Sequence, residues 1–120
     1  MARWKNDKIR VMDKIMLDDF KKLDIRVGKI LSVEEIVGAD KLYKLQVDIG
    51  EKLPVQIVTG LVPYYNEGEL QGKKIIVLVN LEPAKFKGEI SQGMLLCAVS
   101  KDECVLLSIE KDIAQGSPIS

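Results

Sequence analysis

The sequence predicts an all-β fold: a small Greek-key barrel of five or six short strands with one short helical insertion. Three observations carry this. Apolar residues recur at period two in several separate runs. Glycine, proline and Asn/Asp positions punctuate those runs. Hydrophobic residues make up 47% of 120, which supports one packed core and argues against disorder.

Residues 1–16, MARWKNDKIRVMDKIM, form a basic arm with five basic and two acidic residues, and Trp4 is its large aromatic. The arm lacks an apolar signal region, so no secretory leader is expected. LDDFKKLD (17–24) fits a short helix, with Asp18 and Asp19 favourable at its N-terminus. From Ile25 the pattern turns to strand. Ile25, Val27, Leu31 and Val33 are expected on one face, with Gly28 marking a bulge or bend. After the turn GAD, KLYKLQVDIG alternates cleanly, with Tyr43, Leu45, Val47 and Ile49 inward. PVQIVTG is a third strand, and VPYYNEGELQG holds a helical turn or loop. KKIIVLVN is a buried fourth strand and MLLCAV a fifth. ECVLLSIE would pair in a hairpin across SKDE, and the tail AQGSPIS would run over the surface or into a partner. This order matches a five-stranded OB-fold barrel with a short helix. An SH3-like barrel or a small sandwich fits the pattern nearly as well.

The composition removes most catalytic chemistry. With no histidine, neither a Ser-His-Asp nor a Cys-His arrangement can form, and a zinc site of ordinary composition cannot be built. Cys97 and Cys104 lie in apolar runs and suit a reduced, cytoplasmic protein without a disulfide framework. GELQGKK (68–74) fails as a phosphate loop in spacing, in the residue after lysine, and in the strand that follows. Glu34 and Glu35 are adjacent and would face opposite sides of a strand. No enzyme activity, metal or cofactor is expected. No apolar run approaches the ~18–20 residues of a membrane span.

A binding surface remains. Net charge is zero, from 18 basic and 18 acidic residues, yet residues 73–94 carry four basic and two acidic side chains. In an OB-fold, ligands cross the second and third strands, framed by the first and fourth loops. Here those loops are EEIVGAD (34–40) and NLEPAKFKGEISQGM (80–94). Lys85 and Lys87 suit phosphates, with Phe86 between them. Asn80, Ser91 and Gln92 can hydrogen-bond a nucleotide. Gly88 and Gly93 would let backbone approach a ligand. Lys41 and Lys44 would border the same groove. Taken locally, KFKG also reads as a solvated hairpin, Ser91 as an ordinary turn residue, and Met94 as a core residue continuing into the apolar strand.

Several blocks together resemble a known family: DFKKLDIRVGKIL, ADKLYKLQVDIG, QIVTGL, ELQGKKIIVLVNL and PAKFKGEISQGMLL, spanning about residues 18–98. They are similar to the tRNA-binding domain at the C-terminus of methionyl-tRNA synthetases. The same domain occurs in free-standing structure-specific tRNA-binding proteins. The resemblance implies an OB-fold with a C-terminal extension, about residues 100–120, used in a homodimer. It implies tRNA binding by Lys41, Asn80, Lys85, Lys87, Ser91 and Met94, although the family often has arginine at the place of Lys87. It also implies a role as accessory (beta) subunit to a synthetase's catalytic subunit. Where the family commonly has His-Pro before ADKLY, this chain has Ile36 and Val37. A related branch resembles export-associated chaperones, thought to bind unfolded peptides in the same groove.

Overall fold

The computed structural model describes residues 13–120. Most of the predicted basic arm, residues 1–12 with Trp4, lies outside them. The first described element is helix α1 (Leu17–Lys21), with Asp18 and Asp19 in its first turn. Asp19 accepts a hydrogen bond from Met16 N at 3.4 Å, satisfying one exposed amide at the helix start.

Strands β1 (Ile25–Ile36) and β2 (Ala39–Asp48) follow as a long antiparallel hairpin, and β3 (Val55–Thr59) pairs with β2. Helix α2 (Glu67–Leu70) precedes β4 (Lys74–Leu78). A reciprocal cap starts α2: Asn66 Oδ1 accepts from Glu69 N at 2.8 Å, and Glu69 Oε1 accepts from Asn66 N at 2.9 Å. The remaining strands are β5 (Ala84–Phe86), β6 (Glu89–Ser91), β7 (Met94–Leu95), β8 (Cys97–Val99) and β9 (Cys104–Leu106). The main sheet runs β3-β2-β1-β4-β7, antiparallel throughout, and curls into a nearly closed barrel of OB type. Among the described residues, no helix is long and apolar enough to cross a membrane.

Ile30, Leu45, Val47, Ile57, Leu70 and Ile75 fill the barrel and are fully buried. Each such side chain stabilises by about 1.5–3 kcal/mol. A second cluster lies outside the sheet, where Ile25, Val27, Ile76 and Leu78 meet Phe20, Leu96, Ile109 and Ile119. This explains the continuous apolar run of β4: Ile75 and Val77 pack in one cluster, Ile76 and Leu78 in the other.

Strand β1 departs from the single face expected for Ile25, Val27, Leu31 and Val33. Its pairing with β2 shifts register between Ile30 and Ser32. Leu31 is left 43% exposed, while Ile30 takes the core position at 0%. Gly28 is regularly paired with Ile75 and is not the bulge. Its need for glycine is steric: a Cβ there would sit 2.7 Å from Val47 Cγ1 and 2.9 Å from Val77 Cγ2.

MLLCAV is two strands rather than one. β7 pairs with β4, and β8 turns away to pair with β9. The tail runs back over its own barrel. Val27 N donates to Ser117 O at 2.9 Å, and Ile119 N donates to Ile25 O at 2.8 Å. Lys74 pairs with Asp112 at 2.9 Å, and Ser108 Oγ donates to Lys74 O at 2.8 Å. The extension thereby covers the outer apolar cluster.

Candidate nucleic-acid interface

The chain between β4 and β7 leaves the barrel, forms the β5–β6 hairpin, and returns. Its root is held by Asn80. The Asn80 amide donates to Lys22 O at 2.7 Å, and its Oδ1 accepts from Asp24 N at 2.8 Å. One N–H and one lone pair are left for a ligand.

The hairpin tip is Lys87-Gly88, between the paired residues Phe86 and Glu89. Both tip residues have positive φ, 51° and 83°, the geometry of a type I′ turn. Glycine accepts this freely, whereas lysine is held in the left-handed region at a cost of about 1 kcal/mol. Gly88 therefore serves the turn. Gly93 serves the return to the barrel, because a Cβ there would lie 2.8 Å from Leu78 O.

The hairpin closes the barrel against the outer edge of β3. Ser91 is buried, and its Oγ accepts from Val58 N at 3.0 Å and donates to Gly93 O at 3.1 Å. Gln92 N donates to Gln56 O at 2.7 Å, and Gln92 Oε1 accepts from Gln56 N at 2.8 Å. Gln56 Nε2 donates to Ile90 O at 2.9 Å. The edge of β3 is satisfied here mainly by side chains, so the hairpin is a fixed part of the barrel wall.

Between hairpin and barrel lies a cleft of about 160 Å³, lined by Val58, Leu81, Glu82, Ala84, Phe86 and Met94, with Ser91 and Gly93. Phe86 is 43% exposed and Met94 46%. Pleat alternation puts Ala84, Phe86 and Ser91 on the cleft side and Lys85, paired with Ile90, on the other. Lys87 stands at the tip. Lys41 is exposed near the start of β2 and does not line the cleft.

Lys44 is drawn into the fold, with Glu34 at 3.8 Å and Glu89 at 3.5 Å. It ties β6 to the β1–β2 face by a pair of weak, partly exposed ion contacts. Among the described residues, Lys41, Lys85 and Lys87 make no ion pair. The loop expected over 34–40 contracts to the tip Val37-Gly38, because β1 runs to Ile36 and β2 starts at Ala39. A second cleft, about 230 Å³, lies between Tyr64–Tyr65 and the β8–β9 turn. Asp102 and Glu103 line it, which makes it unsuited to a polyanion.

Val58 and Gln56 were not among the residues expected from the sequence. Val58 had a signal: it follows the core residue Ile57, so β3 is apolar on both faces at that point. Gln56 had none, since its partners Gln92 and Ile90 lie more than thirty residues away, with separations of 36 and 34.

The tRNA binding domain family model matches residues 25–118. The methionine–tRNA ligase of Caldanaerobacter subterraneus is 46% identical over 116 residues, 97% of this chain and 18% of that protein. The methionine–tRNA ligase of Archaeoglobus fulgidus is 42% identical over 117 residues, 98% of this chain and 18% of that protein. The chain thus spans less than a fifth of these curated relatives. A MetRS-related protein from Pyrococcus horikoshii superposes with a TM-score of 0.85 at 37% identity, covering 91% of this chain and 100% of that one. The CsaA chaperone protein from Picrophilus torridus superposes at 0.81 with 33% identity, covering 89% and 100%. With the OB barrel, the cation-bearing hairpin and these matches in place, the chain belongs to the tRNA binding domain family.

Proposed function

We propose that this chain binds folded tRNA through the β5–β6 hairpin and the adjoining outer face of β2 and β3. It would act as a stand-alone, non-catalytic accessory subunit of methionyl-tRNA synthetase in the cytoplasm. The observation that carries the reading is the pair Lys85 and Lys87: two cations without ion-pair partners among the described residues, on a hairpin locked to the barrel by Ser91 and Gln92. Lys41 would add a phosphate contact from β2, and Met94 would shape the groove. Asn80 and Ser91 would act chiefly by holding the hairpin in place. As a homodimer joined through residues 100–120, the module would present two hairpins to one tRNA, and linked contacts multiply. That offsets the zero net charge of the chain.

The test adds the purified chain to a methionyl-tRNA synthetase catalytic subunit and measures aminoacylation. The KM for tRNA is expected to fall with kcat little changed, and light scattering should give twice 13.4 kDa. An unchanged KM would remove the accessory-subunit role.

The apolar lining of the cleft favours one second reading, an export-associated chaperone that binds unfolded peptide there. That reading predicts affinity for reduced, unfolded apolar peptides that changes little with salt.

A further inference from the structure

Phe86 and Met94 expose 43% and 46% of their surface, and Leu81 beside them 42%. All three line one cleft, floored by the buried Val58. Apolar side chains gathered around a concavity mark a surface that gains when something covers it. Charge lies close by: Lys87 stands at the hairpin tip and Glu82 is on the cleft wall, while Lys85 lies on the opposite face of the hairpin. Among the described residues none of these three makes an ion pair.

Resting on the tRNA reading, we infer that the cleft takes one unstacked nucleobase of the bound RNA, laid against the ring of Phe86. Charge complementarity selects this occupant over an apolar peptide side chain. A nucleotide brings an aromatic base and a phosphate together, matching the Phe86 ring with the Lys87 cation next to it at the tip. The Glu82 carboxylate accepts hydrogen bonds only, so it suits the N–H donors an unpaired base exposes: the amino groups of adenine, cytosine and guanine and the ring N–H of guanine and uracil. Phe86 is the one aromatic residue on the hairpin, so the site holds one base and does not track a strand. Paired stems offer no such base, so the module would favour RNA with an extruded base over a blunt duplex.

The experiment titrates tRNA into the full chain and into Phe86→Ala across a salt series. A blunt RNA duplex without unpaired bases serves as the second probe. Phe86→Ala is expected to weaken tRNA binding roughly tenfold at every salt concentration, with the salt slope unchanged and duplex binding unaffected. A second measurement uses Phe86→Trp in a Trp4→Phe background, which leaves one tryptophan as reporter. Its emission should be quenched by tRNA and not by the duplex. Wild-type affinity for tRNA in Phe86→Ala would overturn the inference while leaving tRNA binding intact. Equal losses on tRNA and duplex, or an unquenched reporter, would do the same. Stronger quenching by an uncharged apolar peptide than by tRNA would replace the base with a peptide. Absence of any tRNA binding by the wild-type chain would remove both readings.

Discussion

Ser91 Oγ accepts a hydrogen bond from Val58 N at 3.0 Å, across 33 residues of sequence. One buried hydroxyl thus fastens the cation-bearing hairpin to the middle of β3. Ser91→Ala leaves the buried Val58 amide without a partner, which costs about 1–3 kcal/mol. Chemical denaturation should show a lower midpoint. Amide exchange should rise first in residues 84–92, and tRNA affinity should fall even though no ligand contact is removed.

If Lys87 contacts RNA as proposed, its positive φ sets stability against binding. Asparagine tolerates a φ of 51° better than lysine does. Lys87→Asn is expected to raise the unfolding free energy by up to ~1 kcal/mol and to weaken RNA binding at low salt. Thermal melting and a tRNA titration on the same sample read the two effects. A variant that is both less stable and tighter-binding would contradict the assignment.

Gly28 tests the barrel. Gly28→Ala pushes a methyl group into Val47 and Val77, both fully buried. Overpacking of this kind costs about 1–3 kcal/mol. A denaturant midpoint equal to wild type would mean that the two valines give way, and that β1 and β4 are less tightly apposed than described.

Acid should loosen the C-terminal extension. The Arg26 guanidinium holds Asp24 below 3.8, its ordinary value. The Gly50 amide, followed by Gln115, does the same for Asp48, and Lys74 does so for Asp112. A depressed folded pKa gives stability that is present above the unfolded value and lost as pH falls through the folded one. Stability should therefore hold from neutrality to about pH 5 and decline below about pH 4. Amide protection of Val27 and Ile119, whose bonds tie the extension to β1, should fade on the acid side ahead of Leu45 in the core. Protection unchanged down to pH 3 would refute this.

Much of the barrel was legible in the sequence because its strands alternate. β2 shows Tyr43, Leu45 and Val47 inward, with Ile49 just beyond its end continuing the alternation, as a period of two requires. The phase of β1 was not legible: a one-residue register shift at Leu31 moves the core position to Ile30, and no local residue announces it. The candidate binding stretch, residues 80–94, was legible as chemistry more than as geometry. KFKG marks a hairpin turn, yet the roles of Asn80 and Ser91 depend on Lys22, Asp24 and Val58, which are distant in sequence. Lys44 looked like an available cation until Glu34 and Glu89 were placed beside it.

In the proposed function, Lys85 and Lys87, which make no ion pair among the described residues, would grip RNA phosphates. The most direct measurement is a tRNA titration at several salt concentrations for wild type and Lys85→Ala. The slope of log K against log salt should be steeply negative for wild type and flatter by about one unit in Lys85→Ala, with lower affinity at low salt. No tRNA affinity at low salt, or identical slopes for the two proteins, would contradict it.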